Sequence, residues 1–241
     1  LKEGTIETKG ISDLGYQKVH VDTINQMRRQ SEGITVIAGS TGSGKSTTLV
    51  VMISSDMRDN PGKNVITVED PPEYVILGAA QFAVLNVKNE DEKKEAFNMA
   101  LGSALRSDPD TVMIGEIRDA SSAGLAFQAA LTGHRVYASL HANNAIAIMN
   151  RLRDIGVEIY NLTEPTLVAG LIGQRLMRNI CPHCKIPLKD ASPELIQKSG
   201  IHEEDLLNKI KAIDEAAQGK ETYQGIFLTN HEGCSHCRRG I

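Results

Sequence analysis

The chain has 241 residues, 41% of them hydrophobic and 23% charged, which is typical of one globular domain with a small appendage. A formal net charge of -4, from 26 basic and 30 acidic residues, excludes the overall charge bias of nucleic-acid and membrane-surface binders. Aromatic residues make up 4% and Trp is absent, so the core must be largely aliphatic, which favours an α/β fold with a parallel sheet.

The hydropathy and the two ends of the sequence bear on localisation and completeness. The sequence has no run of about eighteen apolar residues and no signal peptide, which predicts a cytoplasmic chain without a transmembrane segment. It opens at Leu1 rather than Met and stops at Ile241 without a closing element, so we expect a fragment of a longer protein. We expect residues 1–32 to be the tail of a missing upstream domain, leading into a helix near residues 21–29.

Strands and helices are predicted to alternate through the middle of the chain. A short apolar run of β-branched residues predicts a strand over residues 34–38, and further strands are predicted over residues 65–68, 111–114 and 135–140. Helices are predicted over residues 45–57, 90–106, 119–131 and through 150–155. Such alternation implies an α/β domain over residues 33–180, with a mainly parallel sheet and helices on both faces.

A glycine-rich turn joins the first predicted strand to the helix that follows it. Its residues and the next few are the expected nucleotide contacts: Gly39, Ser40, Thr41, Gly42, Ser43, Gly44, Lys45, Ser46 and Thr47. In such a turn the backbone N–H groups point inward around phosphate oxygens, and the helix N-terminus adds a favourable dipole. Lys45 is expected to reach the β- and γ-phosphates, and Ser46 to offer its hydroxyl to Mg²⁺. The motif predicts nucleotide binding without specifying which process the energy of the nucleotide drives.

Two of the predicted strands are followed by a glutamate, Glu69 and Glu116. Ligands bind beyond the carboxyl ends of parallel strands, so both side chains are expected to face the γ-phosphate. We expect Glu69 to polarise the attacking water and Glu116 to hold Mg²⁺, although the residues alone leave the reverse assignment open. Glu73 is either a further site residue or a solvated loop charge.

Four segments together resemble the secretion ATPase superfamily, and most of all the hexameric motors of type II secretion and type IV pilus assembly. They are residues 39–46, 66–74, 105–119 and 132–143. Two details are specific to this resemblance. Gly115 stands where many P-loop proteins have a metal-binding Asp, and His134 and His141 form a His box. The resemblance implies that both histidines lie near the phosphates, although a lone His is usually structural.

The resemblance also marks basic residues and a segment before the cysteines. Arg106, Arg118 and Arg151 match family positions and are candidates for stabilising charge, although a surface Arg is more often only solvated. Residues 174–176 (Gln-Arg-Leu) resemble a family segment, with an ordinary helix end as the alternative. The family carries an upstream domain that lends Arg residues to the nucleotide site, so we expect weak turnover from this chain alone.

Two CxxC pairs, separated by 49 residues, contain all four cysteines of the chain: Cys181, Cys184, Cys234 and Cys237. Two such knuckles can close a tetrahedral thiolate site around a structural Zn²⁺, and the sequence context disfavours disulfides and a redox CxxC. His183 and His236, inside the knuckles, could replace a cysteine but are expected to point outward. A zinc-bearing subdomain, truncated at its C-terminus, is therefore predicted over residues 181–241, with a charged helix around residues 203–217.

Together these features predict a RecA-like P-loop ATPase core. The resemblance implies a homo-hexameric ring on the cytoplasmic face of the bacterial inner membrane, where ATP hydrolysis with Mg²⁺ powers pilus assembly or protein secretion. The implied partners are an inner-membrane platform protein and other secretion or pilus machinery, without direct nucleic-acid contact. In the family a tetracysteine module accompanies assembly and secretion motors, whereas retraction motors lack it. The alternatives are a retraction or conjugation-associated motor, and a nucleotide-gated binding module without steady turnover.

Overall fold

The computed structural model describes residues 8–198 except residues 86 and 88, residue 208, and residues 227–237. The chain divides into two units, Leu1–Leu176 and Met177–Ile241. Apart from residue 208, the charged helix predicted around residues 203–217 lies outside the described residues. Within the described part of the chain, no helix is both long and apolar enough to cross a membrane.

The first unit is built on a parallel sheet. Its strands among the described residues are β1 (Gly33–Ala38), β2 (Val65–Glu69), β3 (Ala80–Ala83), β4 (Thr111–Ile114), β5 (Arg135–Leu140) and β6 (Val168–Gly173). They lie in the order β3-β2-β4-β5-β1-β6, and every neighbouring pair is parallel. The carboxyl ends of all these strands therefore meet at one edge of the sheet, where ligands bind in open α/β folds.

Helices connect the strands and cover both faces of the sheet. In the described part of the first unit they are α1 (Lys18–Arg28), α2 (Lys45–Asp59), α3 (Glu90–Leu105), α4 (Ala120–Leu131), α5 (Ala145–Asp154) and α6 (Ile159–Thr163). Side chains of β1 alternate between the faces: Ile34 and Val36 pack with α3, α4 and α5, whereas Ile37 packs with α1 and α2. The predicted parallel sheet with helices on both faces is confirmed.

The second unit has short elements among its described residues. Strands β7 (Ile186–Pro187) and β8 (Phe227–Leu228) pair antiparallel, and α7 spans Pro193–Lys198. The ammonium of Lys185 lies 3.8 Å from the centre of the Phe227 ring, a cation–π contact across the paired strands. This pairing holds the segment that follows the first CxxC pair beside the segment that precedes the second.

Two strands of the sheet are absent from the sequence predictions. β3 is short and largely exposed, so it lacks the apolar run that predicts a buried strand. β6 contains Gly170, where an added Cβ would lie 2.4 Å from the Sδ atom of Met27 in α1. The glycine that lets α1 approach the sheet also weakens the strand pattern in the sequence. Residues 174–176 follow β6, so the alternative of a helix end there is wrong.

The segment before β1 packs against the sheet unit. It contains a short 3-10 turn (Ile11–Leu14) and α1, and the side chains of Ile11 and Ile24 are buried with residues of α2. Burying an aliphatic side chain of this size stabilises by about 1.5–3 kcal/mol. The domain boundaries expected at residues 33 and 181 stay predictions.

A buried group of charges lies near the amino ends of the strands, between α1, α2 and β5. Asp56 and Arg135 are 6% and 5% exposed, and Arg135 Nε lies 3.5 Å from Asp56 Oδ2. Arg28 Nε donates to Asp56 Oδ1 at 2.8 Å, and the Tyr137 hydroxyl donates to Asp56 Oδ2. Burial and the nearby Asp56 charge raise the pKa of Tyr137, so its hydroxyl stays protonated. Arg135 also donates to two main-chain carbonyls at the end of α1, which fixes that helix to the sheet.

We expect Arg135→Met to lower the free energy of unfolding by about 3–5 kcal/mol, because the buried Asp56 loses one cationic partner and two part-buried carbonyls lose their donor. Arg153→Met is the matched control. The exposed pair of Arg153 with Asp154, at 3.4 Å, should contribute only about 0–1 kcal/mol. Urea unfolding of both variants measures the difference, and equal losses would contradict a stabilising role for the buried group.

Candidate functional site

The glycine-rich turn between β1 and α2 forms a cradle of backbone N–H groups. Gly42 and Gly44 have φ of 76° and 86°, in the left-handed region that glycine adopts without strain. α2 begins at Lys45, and the N–H groups of its first turn have no acceptor within the helix. Ser43 Oγ is buried and has no hydrogen-bond partner among the described residues. The turn therefore offers unsatisfied donors to an anion and fits a phosphate group.

The ammonium of Lys45 lies over this turn. Its Nζ donates to Gly39 O at 3.0 Å and to Ser40 O at 3.2 Å. Burial lowers the pKa of Lys45, while the nearby charges of Glu116 and Glu73 act in the opposite direction. The turn, the ammonium and acidic side chains from two other segments therefore belong to one site.

A cavity of about 390 Å³ lies at the carboxyl ends of β2 and β4. Its walls include residues 41–47 of the turn, Glu69, Glu116, Arg118 and His141. The exposed Glu73 also lines it, and its role as a site residue or as a solvated loop charge stays a prediction. The remaining turn residues, Gly39 and Ser40, line an adjoining cavity of about 330 Å³ together with His141 and Arg151.

Glu69 ends β2 and is only 7% exposed. Its Oε1 accepts from Thr67 Oγ1 at 2.8 Å and from Gln81 Nε2 at 3.0 Å. Burial raises the pKa of Glu69, and these two hydrogen bonds offset part of the rise. Gln81 also binds the chain after β2, since it donates to Tyr74 O at 3.0 Å and accepts from Ile76 N–H at 2.8 Å. The sequence predictions missed Gln81 because they missed its strand, β3.

Glu116 follows β4 and is held at both carboxylate oxygens. Oε1 lies 3.0 Å from His141 Nε2, and Oε2 accepts from Arg118 Nε at 2.7 Å. Arg118 also donates to Asp70 Oδ2 at 2.9 Å, and the ammonium of Lys93 lies 3.0 Å from the same oxygen. Glu116 is therefore oriented by a connected row of polar and charged side chains that reaches from β5 to α3.

Gly115 occupies a position where an added Cβ would press against the neighbouring strand. Its N–H donates to Val68 O at 2.8 Å, and a Cβ added there would lie 3.2 Å from both Val68 O and Glu69 Cα. These are backbone atoms of the neighbouring strand, so they cannot move aside as the end of a flexible side chain can. The glycine that stands in place of a metal-binding Asp therefore follows from the close approach of β2 and β4.

His134 and Arg106 lie away from the cavity. His134 precedes β5 whereas His141 follows it, and strand residues at about 3.3 Å each separate the two positions by about 20 Å. His134 Nδ1 lies 3.0 Å from Ala129 O and 2.9 Å from Thr132 Oγ1, at the end of α4. Arg106 follows α3 and lines a groove with residues of α3 and α4. The structure therefore places His141, but neither His134 nor Arg106, beside the glycine-rich turn of the same chain.

The four cysteine thiols of the second unit form one cluster. Their Sγ atoms lie within 4.8 Å of one another, at 4.0 Å for Cys181–Cys234, 3.6 Å for Cys184–Cys237 and 3.7 Å for Cys234–Cys237. Tetrahedral zinc with bonds of about 2.3 Å needs sulfur atoms about 3.8 Å apart, so the cluster fits this metal. The rings of His183 and His236 stack on each other with centroids 4.2 Å apart, and the four-thiol group does not need them as ligands.

The fold and the site together define a P-loop α/β domain, with a glycine-rich turn at a helix N-terminus and carboxylates at neighbouring strand ends. A family model described as "Type II/IV secretion system protein" matches residues 1–241. The chain belongs to this family, as the resemblance of its motifs predicted.

Curated relatives include proteins of type II secretion and of type IV pilus assembly. The chain is 40% identical over 193 residues to "Putative type II secretion system protein E" of Escherichia coli K12, which covers 80% of this chain and 37% of that protein. It is 37% identical over 227 residues to "Type IV pilus assembly ATPase PilB" of Thermus thermophilus, which covers 94% of this chain and 22% of that protein. The chain therefore spans only a part of the length of these relatives.

Solved structures of related proteins have the same fold. The pilus retraction motor PilT with bound ADP is 28% identical, with a TM-score of 0.61 over 92% of this chain and 64% of that chain. The ATPase DotB of Yersinia pseudotuberculosis is also 28% identical, with a TM-score of 0.57 over 92% of this chain and 57% of that chain.

We expect Gly115→Ala to lower the free energy of unfolding by about 1–3 kcal/mol, because its methyl group would push apart the backbones of two central strands. Gly124→Ala is the matched control, since no described atom lies within 4 Å of a Cβ added there. On helix propensity alone, that change in α4 should stabilise by about 1 kcal/mol. Thermal or urea unfolding measures both, and a neutral Gly115→Ala would contradict the steric explanation.

Proposed function

We propose that this chain is the ATP-hydrolysing core of a motor for pilus assembly or protein secretion across the bacterial envelope. One observation carries the proposal: a single cavity holds the glycine-rich turn with Lys45 and two differently held carboxylates, Glu69 and Glu116. Binding a nucleotide needs only the turn, whereas hydrolysis also needs a group that positions or activates the attacking water, and a carboxylate can supply it. The names of a pilus assembly ATPase and of a retraction motor with bound ADP support this class of activity.

Residues 39–47 are the proposed phosphate contacts. The N–H groups of the first turn of α2 would donate to phosphate oxygens. Lys45 would exchange the carbonyls of Gly39 and Ser40 for oxygens of the β- and γ-phosphates. The hydroxyl of Ser46 and the carboxylate of Glu116 would hold Mg²⁺, whose charge offsets that of the phosphates.

Glu69 is the proposed water activator. Both hydrogen bonds that the described residues make to its carboxylate reach Oε1, so Oε2 is the atom that would accept from a water. Both oxygens of Glu116 have a side-chain partner, His141 or Arg118, and Mg²⁺ would displace one of them. Burial raises the pKa of Glu69, which makes its carboxylate a stronger proton acceptor than an exposed one. These differences favour Glu69 over the reverse assignment.

His141 and Arg118 are the proposed stabilisers of charge on the γ-phosphate. Both line the cavity and both contact the carboxylate of Glu116, so both lie beside the group that would hold Mg²⁺. Arg106, Arg151 and His134 do not line this cavity, and we do not assign them to the hydrolysis site of their own chain.

We expect Glu69→Gln and Glu116→Gln to bind ADP within about 3-fold of the parent and to lower kcat by about 100-fold or more, because each loses a carboxylate needed for hydrolysis. Lys45→Ala should weaken ADP binding by about 10-fold or more, since it removes the cation that faces the phosphates. Glu95→Gln, an exposed change on α3, is the matched control.

Titration with fluorescent ADP and an assay of phosphate release by the full-length protein measure these two effects. Normal turnover in both glutamine variants would contradict the proposed roles. Phosphate release also separates a motor from a nucleotide-gated binding module, which would bind ADP without steady turnover.

We propose that the four cysteines hold a structural Zn²⁺. Four thiolates would complete a tetrahedral site without an open position, so such a metal stabilises the second unit and does not catalyse. Metal analysis of protein prepared without chelators should find about one zinc per chain, and Cys184→Ser should lose most of it. Ser235→Ala, a change inside the second knuckle that leaves the thiols intact, should keep it. Absence of zinc in the parent protein would contradict the proposed metal site.

We further propose that the motor is a homo-hexamer at the cytoplasmic face of the inner membrane, with a platform protein as partner. The four-cysteine cluster supports the assembly or secretion branch. In the superfamily that this sequence resembles, the retraction motors lack such a module. A retraction or conjugation-associated motor is the second candidate. The chain shares its fold with a retraction motor, but this fold does not favour the second candidate over an assembly or secretion motor.

A further inference from the structure

Gln174, the first residue after β6, is bound to the end of β1 through its main chain and to the glycine-rich turn through its side chain. Its N–H donates to Ala38 O at 2.7 Å, and its Nε2 donates to Ser43 O at 2.8 Å. Gln174 is 9% exposed, so water competes little for either bond. The residue therefore holds the turn at its start and again near its end.

The side-chain oxygen of Gln174 is engaged as well. Oε1 accepts from the Tyr16 hydroxyl at 2.7 Å and from Thr48 Oγ1 at 2.9 Å. Burial raises the pKa of Tyr16, so its hydroxyl stays protonated. Two hydroxyl donors on Oε1 fix the orientation of the amide, which turns Nε2 toward the carbonyl of Ser43.

Two glycines of the turn lie where Gln174 leaves no room for a side chain. A Cβ added at Gly39 would lie 2.4 Å from Gln174 O, and a Cβ added at Gly44 would lie 2.9 Å from Gln174 Nε2. At Gly39 the backbone has no positive φ, so close approach to both the Ser43 side chain and the Gln174 carbonyl is the physical reason for glycine there.

We propose that Gln174 is a positioning residue for nucleotide binding that acts through the peptide between Ser43 and Gly44. In a trans peptide the carbonyl and the following N–H point in opposite directions. Holding the Ser43 carbonyl against Nε2 directs the N–H of Gly44 away from Gln174 and toward the cavity, where a phosphate oxygen would accept from it. This inference rests on the proposed function, because it assigns Gln174 to the same phosphate site.

Gln174→Glu tests the proposal through the pH dependence of ADP binding. A protonated Glu has nearly the shape of Gln and can donate to the Ser43 carbonyl, whereas an ionised Glu places a negative oxygen against that carbonyl. Burial raises the pKa of a Glu, so both forms are accessible between about pH 5.5 and about pH 8.5. Relative to the parent at the same pH, we expect affinity within about 2-fold at the lower value and about 10-fold or more weaker at the higher.

Two further variants complete the test. Gln128→Glu adds the same charge at an exposed position on α4 and should match the parent at both pH values. Tyr16→Phe removes one donor to Oε1 of Gln174 while Thr48 still donates, so we expect ADP binding about 3-fold weaker at both pH values.

An ADP-binding deficit of Gln174→Glu that is the same at both pH values would make Gln174 a packing residue and overturn the proposal. Affinity equal to the parent at both values would also overturn it. If circular dichroism shows that Gln174→Glu does not fold, Tyr16→Phe decides, and unchanged affinity in that variant overturns the proposal. Failure of the parent protein to bind ADP would overturn the proposed function as well. If the parent binds ADP and only the variants give the contradicting results, the positioning role of Gln174 alone is overturned.

Discussion

The first turn of α2 carries backbone N–H groups without acceptors inside the helix, and the whole site depends on the direction in which they point. In this protein the direction is set from two sides. Gly42 and Gly44 adopt the left-handed backbone conformation that the turn needs. Gln174 donates a hydrogen bond to the carbonyl of Ser43. A turn oriented in this way forms an anion-binding site at the helix N-terminus.

Two carboxylates lie beside that turn, and the sheet topology makes them unequal. β2 has β3 as its outer neighbour, and Gln81 of β3 reaches one oxygen of Glu69. β4 has β5 on its other side, and His141 after β5 reaches Glu116. The neighbouring strands thus give the two carboxylates different hydrogen-bond partners, and in the proposed function this difference separates a water activator from a metal ligand.

The sequence predicts those features whose signal is local. β4 contains the apolar run 112–114 and β5 contains the apolar run 136–138, and the contiguous motif around Lys45 identifies the turn. Contacts between distant segments carry no such signal: Gln81 reaches Glu69 only because of strand register, and Gln174 meets Ser43 only when β6 lies beside β1. The position of His134 was deducible, since a residue that precedes a parallel strand lies at the edge opposite the ligand site.

A crystal structure of the full-length protein with Mg²⁺ and a non-hydrolysable ATP analogue tests the phosphate site most directly. We expect the β- and γ-phosphates on the first turn of α2, with Lys45 Nζ transferred from the carbonyls of Gly39 and Ser40 to phosphate oxygens. The terminal phosphate should lie beside Glu69. Phosphates bound elsewhere, or Lys45 still bound to those carbonyls beneath an occupied turn, would contradict the proposed site.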